Sequence, residues 1–261
     1  MCVCGANGSD SWVFVAPHPD DVALSCGALV AALVRTVPVT ILTLFSATAT
    51  ASADDAADGA FIEFQHTRWG VDASSVHAVR SAEDVAATAA LGATVVLEQA
   101  DLLDAIYRHA AYDSDDALFG AVLPDDGDTV DAVETTLERY TGTLVVPLAI
   151  GRHVDHQIAL AAGRRLAARG RAVLAYADVP YVLDSDGQRL RDGLRVAGLA
   201  DTPPHIWPLD HDAVERGLDA IACYRTQLPV LFRDDINWRP RIEAFLQAGE
   251  DGAHVARLWP L

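Results

Sequence analysis

The sequence contains no lysine, so all 19 of its basic residues are arginines. Acidic residues number 37, and the formal net charge at pH 7 is −18. A charge of this sign and size disfavours the phosphate backbone of nucleic acids and anionic membrane surfaces as partners. No uninterrupted apolar run reaches the roughly 20 residues that span a bilayer. We therefore expect neither a nucleic-acid-binding protein nor a membrane span.

Cysteine is also scarce, with 4 residues in a chain of 261, which is too few for a disulfide scaffold. Cys2 and Cys4 form a pair of thiols without a second pair, and we expect them to lie in a flexible N-terminal segment, residues 1–10. The first residues have neither the basic part nor the apolar part of a signal peptide, which predicts a cytoplasmic protein.

The composition predicts a packed α/β domain. Hydrophobic residues make up 51% of the chain and charged residues 21%, which is typical of a globular protein and excludes a disordered one. Short apolar runs alternate with helical periodicity, and this alternation predicts a Rossmann-like, mostly parallel sheet with helices on both faces. We expect residues 11–261 to form a single domain.

The positions of the elements follow from apolar periodicity and from turn residues. Strands are predicted at 12–16, 37–45, 93–97, 143–148 and 172–176, with a short one at 76–79. Helices are predicted at 22–34, 60–69, 81–91, 115–123, 128–140, 157–169, 211–226 and 239–247. Ser81 is expected to cap the third of these helices, which ends before Gly92.

Two polar loops follow predicted strands. Residues 17–21 (PHPDD) come after the first strand, and residues 151–156 (GRHVDH) come after a later one. Ligands of open parallel sheets bind at the carboxyl ends of the strands, where such loops emerge. Imidazoles and carboxylates without a thiolate are typical of a catalytic zinc or ferrous site that keeps positions open for water.

Each of these side chains also has a purely structural interpretation. His18 and His153 are suitable turn residues, and Asp20, Asp21 and Asp155 are suitable helix caps. The occurrence of histidine and aspartate together in two loops of matching position favours a metal site over five independent caps and turns.

The two loops resemble the HPDD and H-x-D-H motifs of the PIG-L/LmbE-like N-deacetylase family. That family includes deacetylases of N-acetylglucosaminyl-phosphatidylinositol and of the mycothiol and bacillithiol precursors. Weaker similarity extends over most of the chain, at residues 80–84, 91–93, 103–105 and 222–227. The resemblance implies a Rossmann-like fold and hydrolysis of an N-acetyl or other N-acyl group, from a small-molecule conjugate of the N-acetylglucosamine type.

The resemblance also implies roles for the loop residues. Three side chains would hold one divalent metal ion, zinc or else ferrous iron: His18, Asp21 and His156. Asp20 would be the general base that takes a proton from the attacking water. His153 would face the tetrahedral oxyanion as an imidazolium, with Asp155 holding its tautomer.

Further positions match the family less uniformly. Arg80 and Asp104 match residues that bind substrate hydroxyls in sugar-specific members, and Asp101 is a competing alignment for Asp104. Val22 stands where the family usually has glutamate. Gly151 stands where some sugar deacetylases have a tyrosine that contacts the transition state.

General chemistry supports such a site. A divalent metal lowers the pKa of water from about 15.7 towards about 7 and polarises a carbonyl. A neighbouring carboxylate can accept a proton and return it to the leaving amine. A second histidine can donate a hydrogen bond to the developing oxyanion. The loops contain enough groups for these tasks, which predicts metal-assisted hydrolysis of an N-acyl group.

Other functions remain open at this point. The substrate could be a thiol conjugate or another non-sugar amide, and the changes at Val22 and Gly151 allow a catalytically inactive binding protein. His18-x-Asp20 with a distant His156 also matches the facial triad of non-haem iron oxygenases, although oxygenases with that triad resemble β-sandwiches. No G-x-G-x-x-G follows the first strand, which argues against a dinucleotide-binding protein. No feature of the sequence indicates an oligomeric state.

Overall fold

The structure is a computed structural model that describes residues 11–47, 59–183, 186–233, 237–247 and 252–261. The segment 1–10, for which flexibility was predicted, lies outside the described residues together with Cys2 and Cys4. Within the described ranges the chain forms one domain with a sheet of seven strands, and helices pack around the sheet. The predicted fold class is confirmed.

The strands are short and mostly buried. In chain order they are β1 Trp12–Ala16, β2 Val39–Thr43, β3 Val96–Gln99, β4 Thr143–Pro147, β5 Val173–Tyr176, β6 His205–Pro208 and β7 Val255–Pro260. The longer helices are α1 Asp21–Leu33, α2 Gly59–Trp69, α3 Val76–Leu91, α6 Gly127–Glu138, α7 Val154–Ala168, α8 Gln188–Val196, α9 His211–Ile221 and α11 Trp238–Leu246. The shorter helices are α4 Ala105–Arg108, α5 Asp115–Leu118 and α10 Leu228–Leu231.

The strand order is β3-β2-β1-β4-β5-β7-β6. The first five strands are parallel, and β7 runs antiparallel to both of its neighbours. The chain builds outward from β1 through β2 to β3 and then returns to place β4 on the other side of β1. Because crossovers between parallel strands are right-handed, this reversal puts α1 and α3 on one face of the sheet and α7 on the other.

The core reflects the apolar runs of the sequence. In β1 and β4 four of the five residues are buried, because both faces of these central strands are covered. On one face, α1 packs closely on α9, where the Cα of Gly217 lies against the backbone of Gly27 and Ala28. No helix in the described part of the chain combines the length and hydropathy that a membrane crossing needs.

Several predicted elements differ from the structure. The strand predicted at 76–79 is wrong, because Val76 begins α3 and lies on the same buried helical face as Ala87 and Leu91. Ser75 therefore precedes the helix, and Ser81 is inside it. The sequence does not predict the antiparallel strands β6 and β7, because neither is a continuous apolar run. It also does not predict helix α8, which has no buried residues.

Candidate metal centre and active site

The two polar loops meet at the switch point of the sheet. The loop after β1 leads into α1, and the loop after β4 leads into α7. Because β1 and β4 are parallel neighbours, their carboxyl ends place both loops at the same edge. A crevice at this point is the usual ligand site of an open α/β sheet.

The structure brings together the three side chains predicted to bind a metal. Asp21 Oδ2 lies 3.5 Å from His18 Nδ1 and 3.3 Å from His156 Nε2. Asp21 Oδ2 also accepts the backbone N–H of His18 at 2.8 Å, which fixes the carboxylate relative to the loop. All three residues are buried. One nitrogen from each of two loops far apart in sequence thus lies within 3.5 Å of a single Asp21 oxygen.

Two further carboxylates orient the histidines. His18 Nε2 bonds Asp155 Oδ2 at 3.0 Å, and His156 Nδ1 bonds Asp178 Oδ1 at 2.7 Å. Metal-bound histidines usually donate their second ring N–H to a carboxylate in this way. The other ring nitrogens, His18 Nδ1 and His156 Nε2, both face Asp21. The residues present therefore fit a divalent cation.

Two sets of side chains have ligating atoms within 4.8 Å of one another among the described residues. One set joins His18 to the histidines of the second loop, His153 and His156. The other set joins His18 to Asp104 and Asp155. Both carboxylates of this set face His18 Nε2, which is already hydrogen-bonded to Asp155 Oδ2. The orientation of His18 therefore favours a cation on its Nδ1 side.

The electrostatics of the cluster favour positive charge. Burial lowers the pKa of His156, but Asp21 and Asp178 outweigh burial and raise this pKa to about 9. For His18 the hydrogen bonds to Asp155 and Asp21 outweigh burial in the same way, and its pKa lies well above the ordinary value. Burial opposes ionisation of Asp21, but the two imidazoles hold its pKa below the ordinary range. A bound cation would satisfy the same carboxylates that here attract protons.

Asp20 lies at the N-cap position of α1, but its side chain does not act as the cap. Its side chain makes no capping bond to the described helix α1, and its backbone φ of 109° is a strained value for a residue with a Cβ. The residue is buried and lines the cleft. Burial and the adjacent Asp21 carboxylate raise the pKa of Asp20 to about 8. The structural interpretation of Asp20 as a helix cap is wrong.

The surroundings of His153 fix its tautomer and favour the uncharged ring. The backbone N–H of Asp155 donates to His153 Nδ1 at 3.3 Å, so Nδ1 is unprotonated and the ring proton lies on Nε2. Burial and the neighbouring His18 lower the pKa of His153 well below its ordinary value. The hydrogen bond and the lowered pKa favour a neutral imidazole, whereas the resemblance implies an imidazolium. Asp155 holds the tautomer through its backbone, because its carboxylate is already bonded to His18.

A mostly buried arginine connects this centre to a neighbouring loop. Arg108 Nη2 donates to Asp155 Oδ1 at 2.7 Å, and Arg108 Nε and Nη2 donate to the two oxygens of Asp126 at 2.8 and 2.9 Å. Tyr112 donates to Asp126 at 2.8 Å. The negative charge of Asp155 is thus balanced on one side by Arg108 and on the other by His18.

An open cleft with an empty volume of about 730 Å³ lies over the cluster. Arg80 and Asp104, the predicted substrate contacts, both line it, and the Arg80 guanidinium lies 4.9 Å from the centre of the Trp69 ring. Asp101, the competing alignment, is exposed and accepts a hydrogen bond from Ser46 at 3.4 Å. The positions favour Asp104 over Asp101 as a contact of a ligand.

Comparison with known proteins places the chain in a family. The PIG-L family model, described as GlcNAc-PI de-N-acetylase, matches residues 13–167, which include both polar loops. This chain belongs to the PIG-L family. The resemblance noted in the sequence is confirmed.

Relatives of this PIG-L family member include two 2'-N-acetylparomamine deacetylases. The one from Streptomyces fradiae is 31% identical over 189 residues, which are 71% of this chain and 62% of the relative. The one from Niallia circulans is 30% identical over 246 residues, which are 86% of this chain and 83% of the relative. Among solved structures, the A40926 pseudoaglycone deacetylase superposes with a TM-score of 0.71 at 26% identity and covers 97% of both chains.

Three residues around the PIG-L site have no catalytic, ligand or substrate-binding role assigned to them in the sequence analysis. Asp178 follows β5, the parallel neighbour of β4, so its position at a strand end was a usable signal. Arg108 lies outside both motifs, and no local pattern pairs it with Asp155. Tyr181 follows Asp178 at the same edge and lines the cleft. Val22, the departure from the family glutamate, is buried in the core.

We predict that Asp178→Asn weakens metal binding about 10-fold to 100-fold, because His156 loses the carboxylate that orients its ring. Titration of the metal-free protein with Zn²⁺ against a competing chelator measures this change. The matched control is Asp201→Asn, which alters an exposed aspartate. Equal affinities for the two variants would contradict the role of Asp178.

Proposed function

We propose that this protein is a zinc-dependent N-deacetylase that hydrolyses an N-acetylated amino-sugar conjugate. The observation that carries the proposal is the pair of histidines, each oriented by a carboxylate, whose other ring nitrogens face Asp21, with Asp20 beside them. The family and its deacetylase relatives support the reaction type. The ligands proposed for the metal are His18, Asp21 and His156.

The reaction requires a nucleophile, an electrophile and a proton carrier. A bound divalent cation would polarise the amide carbonyl and lower the pKa of water towards about 7. Asp20 accepts the proton of the attacking water, because its carboxylate lines the cleft beside the ligands. The same carboxyl then returns the proton to the nitrogen of the leaving amine, and acetate and the free amine are the products.

His153 acts on the oxygen of the scissile amide. Its Nδ1 accepts from the Asp155 backbone, so its Nε2–H is the available donor. This N–H donates to the oxygen that becomes negatively charged when water adds to the carbonyl. A fixed donor of this kind stabilises the anion more than the neutral carbonyl, which lowers the barrier.

The cleft and the relatives support the proposed substrate class. Arg80 and Asp104 offer a donor and an acceptor for sugar hydroxyls, and Trp69 offers an apolar ring face. The formal net charge of −18 would attract a cationic conjugate electrostatically. Two relatives act on 2'-N-acetylparomamine, and we propose N-acetylated amino sugars of this kind as substrates of this chain.

The test is a screen for acetate release by the zinc-reconstituted protein. The panel contains 2'-N-acetylparomamine, simple N-acetylglucosaminides and N-acetylated amides without a sugar. We expect acetate and a new primary amine only from the sugar compounds. Release only from non-sugar amides would contradict the substrate class, and a metal-loaded protein without turnover on any compound would favour an inactive binding protein.

Metal removal provides an independent test of the cofactor. Dialysis against a chelator is expected to abolish acetate release, and stoichiometric Zn²⁺ is expected to restore it. Full activity in the chelated protein, with metal analysis confirming removal, would contradict a metal-dependent reaction. The fold disfavours a non-haem iron oxygenase, because it is a mostly parallel sheet with helices and not the β-sandwich of oxygenases with that triad.

A further inference from the structure

Gly151 and Tyr181 are interlocked. Gly151 has a φ of +93°, and a Cβ built on it would lie 2.4 Å from Cγ and 2.6 Å from Cδ1 of the Tyr181 ring. No side chain fits at that distance, so the tyrosine ring lies directly on the glycine backbone. Only glycine both adopts this φ easily and leaves room for the ring.

The ring held in this way forms part of the wall of the active-site cleft. Tyr181 lies edge-on to the proposed metal ligand His156, with ring centres 6.1 Å apart. Phe119 contacts Tyr181 at 5.8 Å and His153 at 5.3 Å between ring centres. The wall therefore places Tyr181 beside the proposed ligand His156, and Phe119 lies between Tyr181 and His153, the proposed donor to the oxyanion.

The hydroxyl of Tyr181 is available to a ligand. Among the described residues, the Tyr181 hydroxyl has no hydrogen-bond partner. The backbone carbonyl of Tyr181 accepts a hydrogen bond from Arg189 at 3.2 Å. The other tyrosines near the cluster use their hydroxyls within the protein: Tyr107, Tyr112, Tyr176 and Tyr224. Tyr181 lines the cleft with a phenol group that can donate or accept.

We propose that the Tyr181 hydroxyl hydrogen-bonds the bound substrate. We also propose that glycine is required at position 151 because a larger residue would displace the Tyr181 ring. The inference rests on the proposed deacetylase function. Gly151 has no side chain that could contact the substrate. Tyr181, which lies in the loop after β5, makes the contact in its place. The contact selects substrates with a polar group beside the N-acetyl group.

The first test compares Tyr181→Phe with wild type and with Tyr140→Phe. Tyr140 is the matched control, because its hydroxyl bonds Glu98 at 2.5 Å and the residue lies outside the cleft lining. We expect kcat/KM for 2'-N-acetylparomamine to fall about 10-fold to 100-fold in Tyr181→Phe, with unchanged zinc affinity and Tm. We expect Tyr140→Phe to match wild type.

Two results would overturn the inference. A Tyr181→Phe enzyme within twofold of wild type would show that the hydroxyl contacts no substrate. A loss of turnover with an equal loss of zinc affinity would show that Tyr181 acts through His156. Failure of the proposed function is a separate outcome, in which the wild type releases no acetate. In that case, calorimetric binding of the sugar to Asp20→Asn, with and without Tyr181→Phe, tests the contact, and equal affinities overturn it.

A double-mutant cycle tests the role of Gly151. Gly151→Ala should lower kcat/KM in the wild-type background, because the new methyl group displaces the Tyr181 ring. In the Tyr181→Phe background the further loss should be smaller, since the hydroxyl is already absent. Independent, additive losses would overturn the interlock between the two residues.

Discussion

Asp20→Asn is expected to keep its zinc and to lose turnover by about 10²-fold to 10⁴-fold in kcat, the usual contribution of a general base. The amide has nearly the same shape as the carboxylate, so the metal ligands should stay in place. It cannot accept the proton of the attacking water or return one to the amine. Steady-state acetate release and zinc titration, made on the same preparation, separate the two effects.

The control for Asp20→Asn is Asp201→Asn, which removes an exposed carboxylate and should turn over like wild type. Turnover of Asp20→Asn within a few-fold of wild type would contradict the assignment of the base. Loss of zinc from the variant would show instead that Asp20 belongs to the ligand set. The strained backbone of Asp20 makes either result informative, because such strain is usually retained where a side chain has a function.

Arg108→Met is expected to lower the free energy of unfolding by about 3–5 kcal/mol, the range for removing one partner of a buried ion pair. The Arg108 side chain is 13% exposed, and those of Asp126 and Asp155 are 3% and 0% exposed. Methionine fills similar space but leaves the Asp126 carboxylate without its cation and leaves Asp155 with His18 alone. Urea unfolding of the metal-free protein measures the loss without a contribution from zinc binding.

Two comparisons make the Arg108 prediction specific. Arg165→Met removes an arginine that also contacts two carboxylates, Asp131 and Glu134, but is 50% exposed, so stability should change little. Adding Asp126→Asn to Arg108→Met should recover part of the loss, because one unpaired buried charge disappears. Equal destabilisation by Arg108→Met and Arg165→Met would contradict the buried network.

The sequence was sufficient to predict the fold class and the residues of both polar loops. The apolar runs of β1 and β4 are continuous because both faces of these strands are buried, and the polar loops follow directly. The positions of these apolar runs and of the loops after them were therefore enough to predict that the two loops meet. It failed at Val76, where a short apolar run begins a helix and not a strand.

The contacts that orient the site could not be predicted, because they join residues far apart in sequence. Asp178 lies 22 residues from His156, and Asp155 lies 137 residues from His18. The sequence does not show which of several aspartates reaches which imidazole. For this reason the sequence favours a contact between Asp155 and His153. In the folded chain the Asp155 carboxylate instead bonds His18 and Arg108.

The most direct test of the account is a crystal structure of the zinc-loaded protein with anomalous diffraction data at the zinc edge. We expect one strong peak about 2.0–2.2 Å from His18 Nδ1, His156 Nε2 and an oxygen of Asp21. A peak on the other side of His18, between Nε2, Asp104 and Asp155, would contradict it, as would crystals soaked in zinc that show no peak at the switch point.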